Sequence, residues 1–184
     1  NLYDVFYDKP RPLVARSRCL GVPERIGPDG AVLVPLDEEA LRRAARRLVA
    51  AGVESIAVAF LHSYRDPMHE RLAGRILQEE CGRLPIVLSS DVCPEYREYP
   101  RTSTTVLNAV LLPRVTPYIE RLEQRLRERK VAPELHLMTS AGGLMSADVA
   151  KRHPVHLVES GPAAGVIGAA FVAERSGFGN LLAL

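Results

Sequence analysis

Ser55-Ile56-Ala57-Val58-Ala59-Phe60-Leu61 is the stretch on which the fold turns. It is a short, continuous, uncharged run. Such a run suits a strand covered on both faces, as in a parallel sheet. The flanking sequence repeats the theme. Upstream, Asp37 can cap a helix whose first turn carries Glu38 and Glu39. Leu41, Ala44, Ala45, Leu48 and Val49 give that helix an apolar stripe, and Gly52 ends it. Downstream, Asp66-Pro67 opens a second helix with Leu72, Ala73, Ile76 and Leu77 on its buried face. Pro85 to Ser89 then reads as the next strand. Residues 37–89 thus alternate helix, strand, helix, strand, the pattern of an α/β layer.

Outside this unit the signals are more varied. Residues 1–36 carry no helical period. Arg18–Ile26 and Ala31–Val34 read as strands joined by a Gly27-Pro28-Asp29-Gly30 turn. The longest helical pattern begins at Thr102 or Ser103. It places Val106, Leu107, Val110, Leu111, Val115, Ile119, Leu122 and Leu126 on one side. Pro113 and Pro117 fall inside it, so a kink or short break is expected there. Glu134–Met138 reads as a strand ended by Thr139-Ser140-Ala141-Gly142-Gly143, and Val155–Val158 as another. A small-residue helix runs from Gly161-Pro162 to about Ser176, and Leu181 opens a last strand.

Composition narrows the function classes. The 184 residues are 47% hydrophobic and 25% charged, as in ordinary globular proteins, with a net charge of +2. The Arg42-Arg43 and Arg46-Arg47 pairs recur at helical spacing and read as a solvated face, which argues against nucleic-acid binding. Cys19, Cys81 and Cys93 form neither an even set nor a CxxC, so a reducing compartment is the simpler reading. No stretch is long and apolar enough for a membrane span, and no secretory leader is evident. Asn1 at one end and the apolar run Leu181-Leu182-Ala183-Leu184 at the other suggest an internal fragment of a larger protein.

Three stretches carry candidate chemistry. In Glu159-Ser160-Gly161-Pro162-Ala163-Ala164-Gly165 a turn leads into a helix start, where free amides can hold an anion. A tightly packed core helix fits the same residues, with Gly165 and Gly168 in its interior for close approach. Glu98, Arg101, Thr102, Ser103 and Thr104 concentrate polar groups near a helix start. Arg can fork onto a carboxylate or imide oxygen, although from these residues alone a surface turn with ion pairs and a hydroxyl cap is the simpler reading. Ser140, Gly142 and Gly143 follow a strand, where paired glycines permit close backbone approach or simply a turn. His62 lies at the carboxyl end of a buried strand, a common site position in open α/β sheets, and also suits a structural histidine. His153 and His156 read as surface residues, and no metal-ligand set is apparent.

Together these stretches resemble the hydantoinase A / 5-oxoprolinase family, which also includes acetone and acetophenone carboxylase subunits. The resemblance is carried by Tyr3-Asp4, Lys9-Pro10, Val22-Pro23-Glu24-Arg25, Pro35-Leu36-Asp37-Glu38 and Phe60-Leu61-His62-Ser63-Tyr64. It continues through Arg101-Thr102-Ser103-Thr104-Thr105-Val106-Leu107-Asn108-Ala109, Gly142-Gly143-Leu144-Met145-Ser146 and Ser160-Gly161-Pro162-Ala163-Ala164-Gly165-Val166. It spans nearly the whole chain in order. One departure is Ala141, where the family usually has Asn before the paired glycines.

The resemblance implies part of an actin-like (ribonuclease H-like) ATPase fold of mixed sheet layers and helices. Residues 1–36 would end an N-terminal lobe or form a linking β segment. Residues 37–184 would be an α/β core fragment of the hydantoinase A domain, stopping before its phosphate loop. It implies a parent enzyme that uses ATP with Mg or another divalent cation to open a cyclic amide: hydantoin, N-methylhydantoin or 5-oxoproline. The alternative is an ATP-dependent acetone- or acetophenone-type carboxylase subunit, and a non-catalytic binding module is a third reading. His62, Glu98, Arg101, Thr102, Ser103 and Thr104 would then face the substrate cleft. Ser140, Gly142, Gly143, Ser160, Gly161, Pro162 and Gly165 would lie near the nucleotide or at a hinge. A second, B-type subunit or domain, cytoplasmic residence, and no bound cofactor or metal on the fragment alone complete the expectations.

Overall fold

The computed structural model describes residues 4, 6–8, 10–131 and 134–182. Tyr3 and Lys9, which contribute to the resemblance, and the Ala183-Leu184 end of the expected last strand lie outside that set.

The α/β unit forms as its local signals direct. Asp37 caps α1 (Glu38–Ala50), its carboxylate accepting from the Ala40 amide at 2.8 Å. α2 (Met68–Cys81) follows Asp66, whose side chain accepts from the Met68 amide. Between and after these helices, β3 (Ile56–Val58) and β4 (Ile86–Leu88) pair in parallel, Ile56 opposite Ile86 and Val58 opposite Leu88. Ile56, Val58, Ile86 and Leu88 pack with Leu41, Ala45, Ile76 and Leu77 of α1 and α2. Ala57 and Val87 point the other way, toward Ala109 and Leu112. The strand run is therefore covered on both faces, and three layers result.

β1 (Arg25–Ile26) and β2 (Val32–Val34) form an antiparallel hairpin. The Gly27–Gly30 turn closes with Gly30 donating to the Gly27 carbonyl at 3.0 Å, and Gly30 takes φ +92°. The first strand is much shorter than expected. Only Arg25 and Ile26 pair with β2, and Arg16–Arg18 is a 3-10 turn.

After the short α3 (Ser89–Val92), α4 (Glu98–Glu128) is the long helix, and it differs from expectation in three ways. It starts four or five residues earlier than expected, after Arg97 at φ +84°. It runs through Pro113 and Pro117 without a break. Its fully buried positions begin with the polar set Arg101, Thr105 and Asn108, joined by Ala109 and Ile119. The Val106–Val110 side of the expected apolar stripe is only partly covered, and Val110 is 42% exposed.

The C-terminal part packs on the far half of α4. β5 (His136–Met138) and β6 (Leu144–Ser146) form a hairpin, and α5 (Ala147–Arg152) follows. Ile119 meets Ala147, Ala150, Leu137 and Leu157 there. The strand expected at Val155–Val158 is a 3-10 turn over Pro154–Leu157. Pro154 fixes its φ, and the buried Asn108 side chain clamps both sides. Its amide donates to the Arg152 carbonyl at 3.0 Å, and its oxygen accepts from the Val155 amide at 3.1 Å. α6 (Ser160–Arg175) closes the chain, and Leu181 and Leu182 are exposed and unpaired in any strand.

Candidate functional site

The carboxyl ends of β3 and β4 converge on the first turns of α4, and a buried polar network fills the junction. Glu70, on α2, has no exposed surface. One of its oxygens accepts from the Ser89 hydroxyl at 2.6 Å and the Phe60 amide at 2.9 Å; the other accepts from the Ser90 amide at 2.8 Å. One carboxylate thereby ties together the ends of both strands. Arg101 is 1% exposed. Its guanidinium donates to the Phe60 carbonyl at 2.8 Å, the Glu95 carbonyl at 3.1 Å and the Ser89 hydroxyl at 3.2 Å. It also lies 5.5 Å from the centre of the Tyr64 ring, within cation–π range.

Hydrogen-bond accounting fixes the proton positions. Ser89 gives its only proton to Glu70, so it accepts from both Arg101 and Ser63. Ser63, at 3.0 Å, is therefore the donor of that pair. Ser90 Oγ is buried beside this network with no partner among the described residues.

His62 takes φ +60° at the same strand end, and its Nδ1 lies 2.8 Å from the Ile26 carbonyl. A carbonyl only accepts, so Nδ1 carries a hydrogen and donates it. The contact ties the β1–β2 hairpin to the strand end. His69 adds a second tie through Glu24 at 2.8 Å, both side chains nearly buried.

The cleft candidates therefore divide. Arg101 sits behind the strand ends, each of its three guanidinium nitrogens donating to a protein acceptor. Truncating it would therefore disturb the fold itself. Glu98, Thr102 and Ser103 are exposed on the first turns of α4, with Thr104 half-buried beside them. They are not hydroxyls at a helix cap, because α4 begins before them. Thr105 bonds back to the Arg101 carbonyl at 2.7 Å, within its own helix. Exposed Tyr96 and Tyr99 flank the same end, Tyr96 edge-on to Tyr64 at 6.0 Å.

The second group of candidates forms a separate place. Ser140, Gly142 and Gly143 belong to the β5–β6 turn, closed by Gly142 donating to the Thr139 carbonyl and Gly143 to the Thr139 hydroxyl. Gly142 takes φ +83°, and a Cβ there would lie 2.7 Å from Ile167 Cδ1 of α6. Ser160, Gly161 and Pro162 form the first turn of α6. The left-handed residue at that entry is Glu159, at φ +60°, so the sharp bend falls there and not at Gly161. Nothing lies within 4 Å of a Cβ built on Gly161, Gly165 or Gly168. The tight packing expected around those glycines is absent among the described residues. Val166, Ile167, Phe171 and Val172 are exposed on the same helix. His153 and His156 lie near this region, with rings 6.2 Å apart, and His153 Nδ1 is buried without a partner. Burial, then His156 and Arg152, pushes the His153 pKa down.

Glu70, Ser63, Ser89 and Asn108 were missed by the sequence reading. A signal existed for Glu70. It lies three residues before Ala73 and seven before Leu77, on the same helical stripe. Among the described residues, no three His, Cys, Asp or Glu side chains gather as a metal-binding group, and no helix is long and apolar enough to cross a membrane.

Two family profiles match in chain order. One, described as Hydantoinase/oxoprolinase N-terminal region, covers residues 1–81; the other, Hydantoinase/oxoprolinase, covers residues 101–184. The chain belongs to the hydantoinase/oxoprolinase family. It is 36% identical over 181 residues to the acetophenone carboxylase gamma subunit of Aromatoleum aromaticum, covering 96% of this chain and 24% of that one. It is 40% identical over 134 residues to 5-oxoprolinase of Saccharomyces cerevisiae, covering 72% of this chain and 10% of that one. The crystal structure of the ATP-dependent caprolactamase from Pseudomonas jessenii superposes with a TM-score of 0.85 at 33% identity, over 95% of this chain and 25% of that one. The chain thus spans about a quarter or less of the length of these relatives.

Proposed function

We propose that this chain is part of an ATP-dependent hydrolase that opens a cyclic amide such as hydantoin, N-methylhydantoin or 5-oxoproline. The observation that carries the reading is the polar rim at the carboxyl ends of two parallel strands. Ligands of open α/β sheets bind outside such strand ends. Here Glu98, Thr102, Ser103 and Thr104 line the start of α4, braced from behind by Arg101, Ser89 and Glu70. Exposed hydroxyls on a rigid helix suit the orientation of an imide or lactam ring, whose edge presents alternating donors and acceptors. The likeness to a caprolactamase and a 5-oxoprolinase supports this substrate class.

In this reading the chain belongs to an actin-like ATPase, with residues 1–36 ending one lobe or linking to it and residues 37–184 forming an α/β core. ATP supplies the activating phosphoryl group, and a divalent cation offsets its charge. This chain's contribution near a nucleotide is the α6 start, where the Ser160 and Gly161 amides are free of helical partners. The parent protein works in the cytoplasm alongside a B-type subunit or domain. The gamma and alpha subunit designations of relatives support such an assembly.

A second reading is favoured by the acetophenone carboxylase gamma subunit, which matches 96% of this chain. There the activated substrate would be an enolate, and carbon dioxide would be added. One assay separates the two. The intact parent enzyme with ATP and Mg is offered cyclic amides, or acetone and acetophenone with bicarbonate, and phosphate and organic products are measured. Ring opening coupled to phosphate release supports the hydrolase. Carboxylation of a ketone with no ring opening replaces it. No substrate-dependent phosphate release in either set leaves the binding-module reading.

A further inference from the structure

The entry to α4 is strained. Arg97 takes φ +84° and ψ 114°, a backbone conformation unfavourable for a residue with a side chain, which persists only where the surroundings enforce it. The enforcing group is Arg101. The carbonyls on either side of Tyr96 both accept from it: the Glu95 carbonyl from its guanidinium at 3.1 Å, and the Arg97 carbonyl from its backbone amide at 3.3 Å. The Glu95 amide in turn donates to the Cys93 carbonyl at 2.7 Å. The Tyr96 ring is pinned as well, edge-on to Tyr64, whose ring lies beside the Arg101 guanidinium. A buried arginine holds an unfavourable turn at the surface, and strain of this kind clusters where a protein presents groups to a ligand.

The turn presents Tyr99. Because α4 begins directly after Arg97, Tyr99 falls in its first turn. Thr102 and Ser103 follow it by three and four positions and so share its side of the helix. Arg101, Thr105 and Asn108 occupy the buried side. Tyr99 is 83% exposed, and Glu98, Thr102 and Ser103 are exposed around it. An open aromatic ring therefore stands among two hydroxyls and a carboxylate, on a helix whose start is locked in place.

The chemistry selects a flat, polar ring. An aromatic face attracts a planar ring by stacking, and tyrosine offers that face with only two side-chain torsions to fix. Hydroxyls both donate and accept, and a carboxylate accepts. A cyclic imide or lactam calls for this set: a face to stack, carbonyl edges to receive hydrogen bonds and an N–H edge to give one. An apolar protein surface packed on Tyr99 would also cover Glu98, its neighbour, and burying an unpaired carboxylate is costly.

We infer that Tyr99 is a specificity-determining residue whose ring stacks on the planar ring of the bound cyclic amide. The inference rests on the reading that this rim faces a cyclic amide, and adds to it the group that recognises the ring. Steady-state kinetics of the intact parent enzyme test it, with ATP, Mg and whichever of hydantoin, N-methylhydantoin and 5-oxoproline the wild type opens. Tyr99→Leu keeps an apolar side chain without an aromatic face. It should raise the KM for the cyclic amide about tenfold, with a smaller change in kcat. Tyr99→Phe keeps the ring and should recover most of that loss. The KM for ATP and the melting temperature should stay at their wild-type values, which a merely structural role would not allow. A cyclic-amide KM that rises less than about twofold in Tyr99→Leu overturns the inference and leaves the cyclic-amide reading standing. A rise shared by the KM for ATP, or a lower melting temperature, also overturns it, because the ring then packs on protein. A wild-type enzyme that opens none of the three overturns the reading and the inference together.

Discussion

The Ser55 hydroxyl donates to the Ala109 carbonyl at 2.6 Å, and Ala109 lies four residues before Pro113. Pro113 has no N–H, so it cannot make the helical bond that this carbonyl would otherwise accept. A serine at the start of the strand layer supplies the missing donor. One contact thus explains why α4 continues through a proline and fixes the helix to β3.

Ser55→Ala should lower stability by about 1–3 kcal/mol, because the Ala109 carbonyl loses its donor in a half-buried place. Pro113→Ala restores a helical N–H to that carbonyl. The Ser55→Ala cost should therefore shrink toward zero in the Pro113→Ala background. Urea unfolding of the wild type and the three variants measures the coupling. Equal costs in both backgrounds would show that the two residues do not share the carbonyl.

Arg101→Ala should be severely destabilising, by about 3–5 kcal/mol, since it leaves a cavity and strips donors from the Phe60 and Glu95 carbonyls and from the buried Ser89 hydroxyl that holds Glu70. Arg101→Lys keeps the charge but loses the planar fork, and should fall between. Glu70→Gln should also cost stability, because a carboxamide directs two hydrogens at a place where three donors already converge. Thermal melting reads all three. Unchanged melting temperatures would mean that the network is solvated.

Gly142→Ala combines a positive φ with a contact to Ile167. The contact involves the end of a flexible side chain, which can move. The backbone conformation cannot be relieved that way. The substitution should cost about 1–2 kcal/mol, and Ile167→Val, which removes the crowding methyl, should recover only part of it. Full recovery would assign the cost to space alone.

Burial lowers the His153 pKa in the folded state, which therefore disfavours the charged ring. Below the free-histidine value of about 6.5, the unfolded chain takes up the proton more readily. Stability should be fully present above that pH and should fall as pH drops through it. His153→Gln should flatten this part of the stability–pH curve between about pH 7.5 and 5. Identical slopes for wild type and variant would exclude His153 as the source.

How much of this was legible in the sequence follows from the reach of each interaction. Asp37 capping Ala40, the Gly27–Gly30 turn and the helix–strand alternation of residues 37–89 involve neighbours within a few positions. Residue type and period determine such contacts before the chain folds, and they also carry the family resemblance. The sequence alone determined that parallel α/β unit, its order and its membership of the family.

Only the tertiary structure decided which polar groups go inside. Arg101 meets Phe60 across 41 positions, and Glu70 meets Ser89 across 19. A charged residue is readable as buried only once its partners are known, because an unpaired buried charge is prohibitively costly while a fully bonded one is tolerated. The same reasoning explains α4. Helical periodicity marked its apolar residues as the buried face, yet Thr105 and Asn108 occupy that face by finding acceptors and donors in the backbone around them. The apolar residues Val106 and Val110 were left partly exposed beside α1 and β3.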